Sequence, residues 1–356
     1  MNSVRASAPQ LAGLVPYDPK YLPAEAMLSA NENPRDVDAE IRKEIRRAIE
    51  NTPLNRYPDP LANELRDMIA EANGLDRDWV LMGNGGDELL FNIALAWGGP
   101  GRKFLNMPPT FSVYAANARL TNTEVVDVPR RDDFSIDEDA VCARLAAGDI
   151  DFTIIASPNN PTGLMASDAF LERMLDASDA LVMVDEAYFE FSRHTIRPRL
   201  ADHKNLVILR TFSKAFSLAG VRMGYIMAHP EVIREFIKVR QPYSVDAVSQ
   251  AIARVVFANR AKFEPGITAL IEERERMIEA LRCVPGVTVF PSDSNWVLLR
   301  IDEAAAAWQF LFDRSVLVRD FSAAPLLENT LRVTVGTPEQ NDAFLAALRD
   351  FALRRR

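Results

Sequence analysis

The 356-residue chain carries 41 lysines and arginines, and only seven of them are lysines: Lys20, Lys43, Lys103, Lys204, Lys214, Lys238 and Lys262. Any lysine chemistry must come from that short set. Lys214 stands in Thr211-Phe212-Ser213-Lys214-Ala215-Phe216, just after the apolar run Asn205 to Leu209. A lysine at the polar end of a strand, flanked by small hydroxyl residues, is a candidate Schiff-base former. Arg222 follows within Gly220-Val221-Arg222-Met223-Gly224, and its guanidinium fork suits a phosphate. Asp185 ends another apolar run, in Asp185-Glu186-Ala187-Tyr188. A carboxylate there needs a partner, and a pyridinium nitrogen is one candidate. A third polar cluster, Ser157-Pro158-Asn159-Asn160-Pro161-Thr162-Gly163, closes a third such run. Gly83-Asn84-Gly85-Gly86-Asp87-Glu88 precedes a helix, whose free N–H groups and dipole favour an anion. It is neither a Walker A nor a GxGxxG fingerprint. Taken singly, each feature has an ordinary reading: a loop lysine, a capping aspartate, a glycine turn.

Other chemistries are disfavoured. His194, His203 and His229 have neither HxxxH nor HExxH spacing, so no metal site is expected. No GxSxG elbow occurs. Cys142 and Cys283 lie far apart, which suits a reducing, cytoplasmic setting. The N-terminus is broken by prolines, and no apolar run reaches membrane-spanning length. The net charge of −9 argues against nucleic-acid or membrane partners.

The elements that must position these groups alternate. Helices are predicted over Asp38 to Asn51 and Leu61 to Asn73, and one with Leu89, Leu90, Ile93, Ala94 and Trp97 on a single face. Strands are predicted at Val80 to Met82, Phe104 to Met107 and Val125 to Val128, then at Phe152 to Ala156, Ala180 to Val184 and Asn205 to Leu209. Continuous apolar runs separated by helices imply an α/β fold, a mostly parallel sheet covered on both faces. Ligands of such sheets gather beyond the carboxyl ends of the strands, where the polar clusters sit. Helices are also expected at Glu231 to Val239, Ser249 to Phe263 and Ile267 to Leu281. Strands follow at Val287 to Phe290, Trp296 to Leu299 and Leu331 to Val335, and helices at Ala305 to Phe312 and Glu339 to Phe351. The expected division is an N-terminal arm over 1–30, a large domain over 31–245 and a small α+β domain over 246–356.

The ordered motifs Ala30 to Pro34, Asn55 to Pro58, Gly85 to Glu88, Ser157 to Gly163, Asp185 to Tyr188, Arg210 to Phe216 with Ala219 to Arg222, and Leu331 to Gly336 resemble those of fold-type I pyridoxal-phosphate aminotransferases. Within them, the chain is similar to the histidinol-phosphate aminotransferases. The resemblance implies a fold-type I domain pair and pyridoxal 5′-phosphate as cofactor. It implies ping-pong transamination of histidinol phosphate with 2-oxoglutarate, with Lys214 as the Schiff-base and proton-shuttling lysine. Asp185 would hold the ring nitrogen, Asn160 and Tyr188 the 3-oxygen, and Phe111 would stack on the ring. Gly86, Asp87, Thr211, Ser213 and Arg222 would hold the phosphate. Tyr57 would reach the phosphate of a neighbouring subunit, making the protein a homodimer. Arg332 would bind the substrate carboxylate, with Arg319, Tyr17 and Glu32 lining the substrate side. Two positions depart from the family's habit, which is tyrosine where Phe111 stands and Arg-Gly-Ala or Arg-Gly-Ser where Asn84-Gly85-Gly86 stands. Rival readings on the same scaffold are an aromatic-amino-acid aminotransferase and a phosphothreonine decarboxylase. A cofactor-sensing transcription factor is disfavoured by the acidic charge and the short segment ahead of the motifs.

Overall fold

The computed structural model describes residues 4–11, 14 and 22–354. In chain order the first elements are β1 (Ala26–Leu28), α1 (Ala39–Glu50), α2 (Asn63–Ala72), β2 (Val80–Asn84), α3 (Gly85–Trp97), β3 (Lys103–Asn106), α4 (Val113–Leu120) and β4 (Glu124–Asp127). Next come α5 (Glu138–Ala146), β5 (Phe152–Ala156), α6 (Asp168–Ala177), β6 (Leu181–Asp185), α7 (Phe189–Ser192), β7 (Leu206–Thr211), β8 (Met223–Ala228), α8 (Pro230–Val239) and α9 (Ala247–Ala258). The chain finishes with α10 (Glu264–Arg282), β9 (Val287–Val289), β10 (Trp296–Ile301), α11 (Ala304–Phe312), β11 (Val316–Asp320), β12 (Thr330–Thr334) and α12 (Pro338–Leu353).

The larger sheet runs β2-β8-β7-β6-β5-β3-β4, parallel throughout except for β8, which is antiparallel to both neighbours. Its strands read as unbroken apolar runs because both faces are covered. Ile154, Met183, Val207 and Leu209 face one core, while Ile155, Val182, Val184 and Ile208 face the other. Burying each such side chain contributes about 1.5–3 kcal/mol. The smaller sheet runs β1-β11-β12-β10-β9, with α10, α11 and α12 packed on it around Trp296 and Phe344. Helix starts are fixed locally. Asp38 caps α1 through Ile41, Ser167 caps α6 through Phe170, and Thr337 with Gln340 forms a capping box on α12.

Three strands, β1, β8 and β11, were not anticipated. β1 has only three residues and pairs in parallel with β11, a contact no local pattern announces. β8 is likewise absent from the sequence reading, because Gly224 and the left-handed Arg222 (φ 56°) obscure its start. The helix expected through Phe263 ends at Ala258, and a 3₁₀ turn at Arg260–Phe263 follows. Helix α9, beyond residue 245, packs on α1 and α2, and its Ala253, Val256 and Phe257 join the large-sheet core.

Candidate active site

Register places the polar clusters together. Ala156 is the pairing partner of Asp185, and Asp185 is that of Leu209, so β5 and β6 end at one level and β7 runs on to Thr211 beside them. Antiparallel β8 then sets Gly224 beside both Thr211 and Gly83, which brings the start of α3 to the same edge. A cavity of about 600 Å³ opens there.

Its floor is Asp185, buried at 6% exposure. The Tyr114 hydroxyl donates to its Oδ2 at 2.6 Å, and the Ala187 N–H to its Oδ1 at 3.0 Å. It makes no ion pair among the described residues. Burial pushes its pKa up to about 6, against the pull of those two donors. Half-buried Lys214 donates to the Ala30 carbonyl at 3.0 Å and lies 5.8 Å from the Tyr188 ring centre. Burial, then the charge of Arg332, pushes it down to about 8; Glu32 and Asp87 oppose this. A larger share of this amine is therefore neutral near pH 7 than for an exposed lysine.

At the phosphate-sized end, α3 starts at Gly85 with no side-chain cap. Gly85 has φ +72°, and a Cβ on it would fall 2.5 Å from Arg222 Nη2. A Cβ on Gly224 would fall 2.8 Å from the Gly86 nitrogen. Both positions therefore need glycine to keep β8, Arg222 and the helix start this close. Arg222 holds Asp87 Oδ2 at 2.9 Å, and the Thr211 hydroxyl meets Ser213 Oγ at 3.0 Å. Uncapped N–H groups, a guanidinium and two hydroxyls make a seat for an oxyanion.

On the far side, Arg332 donates to Asn160 Oδ1 at 2.5 Å and to the Ser29 carbonyl at 2.6 Å. Tyr188 accepts from Asn31 Nδ2 at 3.2 Å and packs edge-on to Trp296. Phe111 and Glu32 line the cavity, Phe111 edge-on to Tyr114. Arg319 pairs in register with Arg332 on the neighbouring strand but is not part of the cavity wall. Tyr57 is also outside the wall. It is 81% exposed and stacks on Tyr243 with ring centres 4.5 Å apart. Tyr17 lies outside the described residues.

Sequence reasoning missed Tyr114 and Asn31. Tyr114 follows Phe111 by one helical turn, a spacing that could have revealed it. Asn31, with φ 54°, is buried and bonds Tyr188 and Thr334, so only long-range packing defines it. Arg210 and Glu186 form a buried ion pair at 2.9 Å directly behind Asp185, fixing the end of β6 to β7. Among the described residues, no group of three or more His, Cys, Asp or Glu side chains is placed to hold a metal ion. No described helix is long and apolar enough to cross a membrane.

Fold and site thus define an α/β enzyme with a half-buried amine, a buried carboxylate and an oxyanion seat around one cavity. The chain belongs to the class I and II aminotransferase family, whose model matches residues 26–348. It is 39% identical to the histidinol-phosphate aminotransferase of Chlorobium phaeobacteroides, over 90% of each chain. It is 40% identical to histidinol-phosphate aminotransferase 1 of Carboxydothermus hydrogenoformans, over 98% of this chain and 99% of that one. In fold it matches the histidinol-phosphate aminotransferase of Sinorhizobium meliloti solved with pyridoxal-5′-phosphate (TM-score 0.88, 23% identity, 99% of both chains). The L-threonine-O-3-phosphate decarboxylase of Porphyromonas gingivalis is also similar (TM-score 0.81, 27% identity, 91% of this chain and 98% of that one).

Proposed function

We propose that this chain is a pyridoxal-phosphate-dependent aminotransferase that exchanges the amino group of histidinol phosphate with 2-oxoglutarate, giving imidazole-acetol phosphate and glutamate. The observation that carries this reading is the convergence of Lys214, Asp185 and the α3 start on one cavity, in a chain whose curated relatives of that name match over nine-tenths of their length. The residues fit the cofactor. Asp185 is a buried carboxylate lacking a cation, and a protonated ring nitrogen is one. The uncapped start of α3 and Arg222 suit its phosphate, and the half-buried amine suits its carbonyl.

Bound pyridoxal phosphate supplies a carbonyl that takes up an amine and a ring that accepts an electron pair. The chain does the rest. Lys214 Nζ would hold the cofactor's carbonyl carbon and, when free as an amine, would carry the substrate's α-proton. Asp185 keeps the ring nitrogen protonated, and Tyr114 orients Asp185. Asn160 and Tyr188 hydrogen-bond the 3-oxygen, while Phe111 covers the ring. Gly86, Asp87, Thr211, Ser213 and Arg222 hold the phosphate. Arg332 takes the substrate anion, with Arg319, Glu32 and Tyr17 on that side. A guanidinium fork serves the carboxylate of glutamate and the phosphate of histidinol phosphate equally, as a ping-pong site requires. Tyr57, exposed and stacked on Tyr243, serves a neighbouring subunit, so the enzyme works as a homodimer. The two distant free cysteines suit a cytoplasmic enzyme.

The test is side-by-side turnover of histidinol phosphate, phenylalanine and phosphothreonine by the purified enzyme. Histidinol phosphate should be preferred, and Lys214→Ala should lower its turnover by about a thousandfold or more. A preference for phenylalanine, or release of carbon dioxide from phosphothreonine, would overturn the substrate assignment. Full turnover by Lys214→Ala would overturn the mechanism.

A further inference from the structure

A second cavity, of about 610 Å³, shares no lining residue with the first. It lies at the seam between the two units. The β4–α5 loop and the starts of α5 and α6 form most of its wall, and Asp293, between β9 and β10, closes it from the smaller unit. Three guanidiniums and three carboxylates line it, and most of these charges are already matched. Arg173 holds Glu138 at 3.3 Å and Asp139 at 2.6 Å, and Arg131 holds Asp137 of the same loop at 3.3 Å.

Arg130 and Asp293 are left. Arg130 is only 7% exposed, yet no carboxylate among the described residues lies within ion-pair distance of it. Its Nη1 donates to the Phe134 carbonyl at 3.2 Å, and its buried Nε has no partner. Such a buried cation normally requires an anion. Burial pushes it down to about 10. Asp293 is half-buried and makes no ion pair among the described residues; burial raises its pKa, which the more distant charge of Arg274 only partly offsets. The remaining wall is largely apolar, with Phe134, Ile136, Leu164 and Met165. A simple anion would satisfy Arg130 but face Asp293, and a simple cation the reverse.

We propose that this cavity binds a small zwitterion of the free α-amino-acid class, its carboxylate on Arg130, its ammonium on Asp293 and its side chain against the apolar wall. The occupant joins the two units, because its two charges are held from opposite sides of the seam. It also bears on the substrate side. Phe134 packs edge-on to Phe290 with centres 4.8 Å apart, and the same small cluster includes Phe321, 5.7 Å from the Arg332 guanidinium.

The probe is cycloleucine, an amino acid without an α-hydrogen, so transamination cannot consume it. It is titrated calorimetrically into the cofactor-loaded enzyme beside cyclopentanecarboxylate and cyclopentylamine, with the cofactor's absorption recorded in parallel. Cycloleucine should bind without changing that absorption, and the acid and amine about tenfold more weakly or worse. Asp293→Asn and Arg130→Met should each weaken it about tenfold or more. If Arg130→Met does not fold, Arg130→Lys replaces it and should weaken binding through loss of the fork. The proposal is overturned if no spectrally silent binding occurs, if the acid alone binds as tightly, or if Asp293→Asn binds normally. Turnover of histidinol phosphate by Asp293→Asn, measured alongside, keeps a failure here distinct from a failure of the proposed reaction.

Discussion

Asp185 and Lys214 are two opposite charges in one cavity that form no ion pair with each other among the described residues. Burial raises the carboxyl to about 6 and lowers the amine to about 8. Each charged form is therefore held at a cost that a ligand can relieve, Asp185 by a ring cation and Lys214 by covalent attachment. The sign for cofactor binding follows. Binding needs the Asp185 carboxylate, so the part of the affinity that Asp185 supplies is in place above about pH 6 and is lost as the pH falls below it. The Tyr114 hydroxyl stabilises that carboxylate and opposes burial. Tyr114→Phe should therefore move the acid-side loss of pyridoxal phosphate affinity upward by about one pH unit. A titration of affinity against pH that leaves this limb unmoved, or moves it down, refutes the role given to Tyr114.

At the scale of elements, the site depends on β8, the one strand that runs against the large sheet. Its register sets Gly224 against Gly83, and only a glycine there lets the Gly86 nitrogen come so near. Gly224→Ala should displace the start of α3 and weaken pyridoxal phosphate binding by about tenfold or more, with lower thermal stability of the cofactor-free protein. A variant with unchanged affinity would show that the α3 start is not the phosphate seat. The long apolar strands β5, β6 and β7 were legible because each face meets a hydrophobic core, and their polar ends marked the site. β8 and β1 were not legible, because their sequences are short or glycine-broken and their pairing is set by distant partners.

At the scale of the molecule, the segment after β1 ties the smaller sheet to the larger one beside the site. Arg332 reaches the Ser29 carbonyl, Asn31 bonds Thr334 and Tyr188, Asn295 reaches the Asn31 carbonyl, and Asn33 reaches the Ala215 carbonyl beside Lys214. Tyr57 is exposed and stacks on Tyr243, as the shared site proposed above requires. Sedimentation should therefore return about twice the chain mass, and Tyr57→Ala should weaken the cofactor's hold without dissociating the pair. A monomer with full activity would refute the shared site. The sequence by itself determined the family and the α/β alternation, and it singled out Lys214, Asp185 and Arg222 as the candidates, because strand-end chemistry is written in contiguous residues. Lys214 emerged from seven lysines for that reason. The tertiary structure alone decided what surrounds them: Tyr114 on Asp185, Asn31 on Tyr188, Arg319 beside Arg332 but off the cavity wall, and Arg130 buried without a carboxylate. Those facts depend on which distant side chains share a buried space, and local pattern carries no record of that.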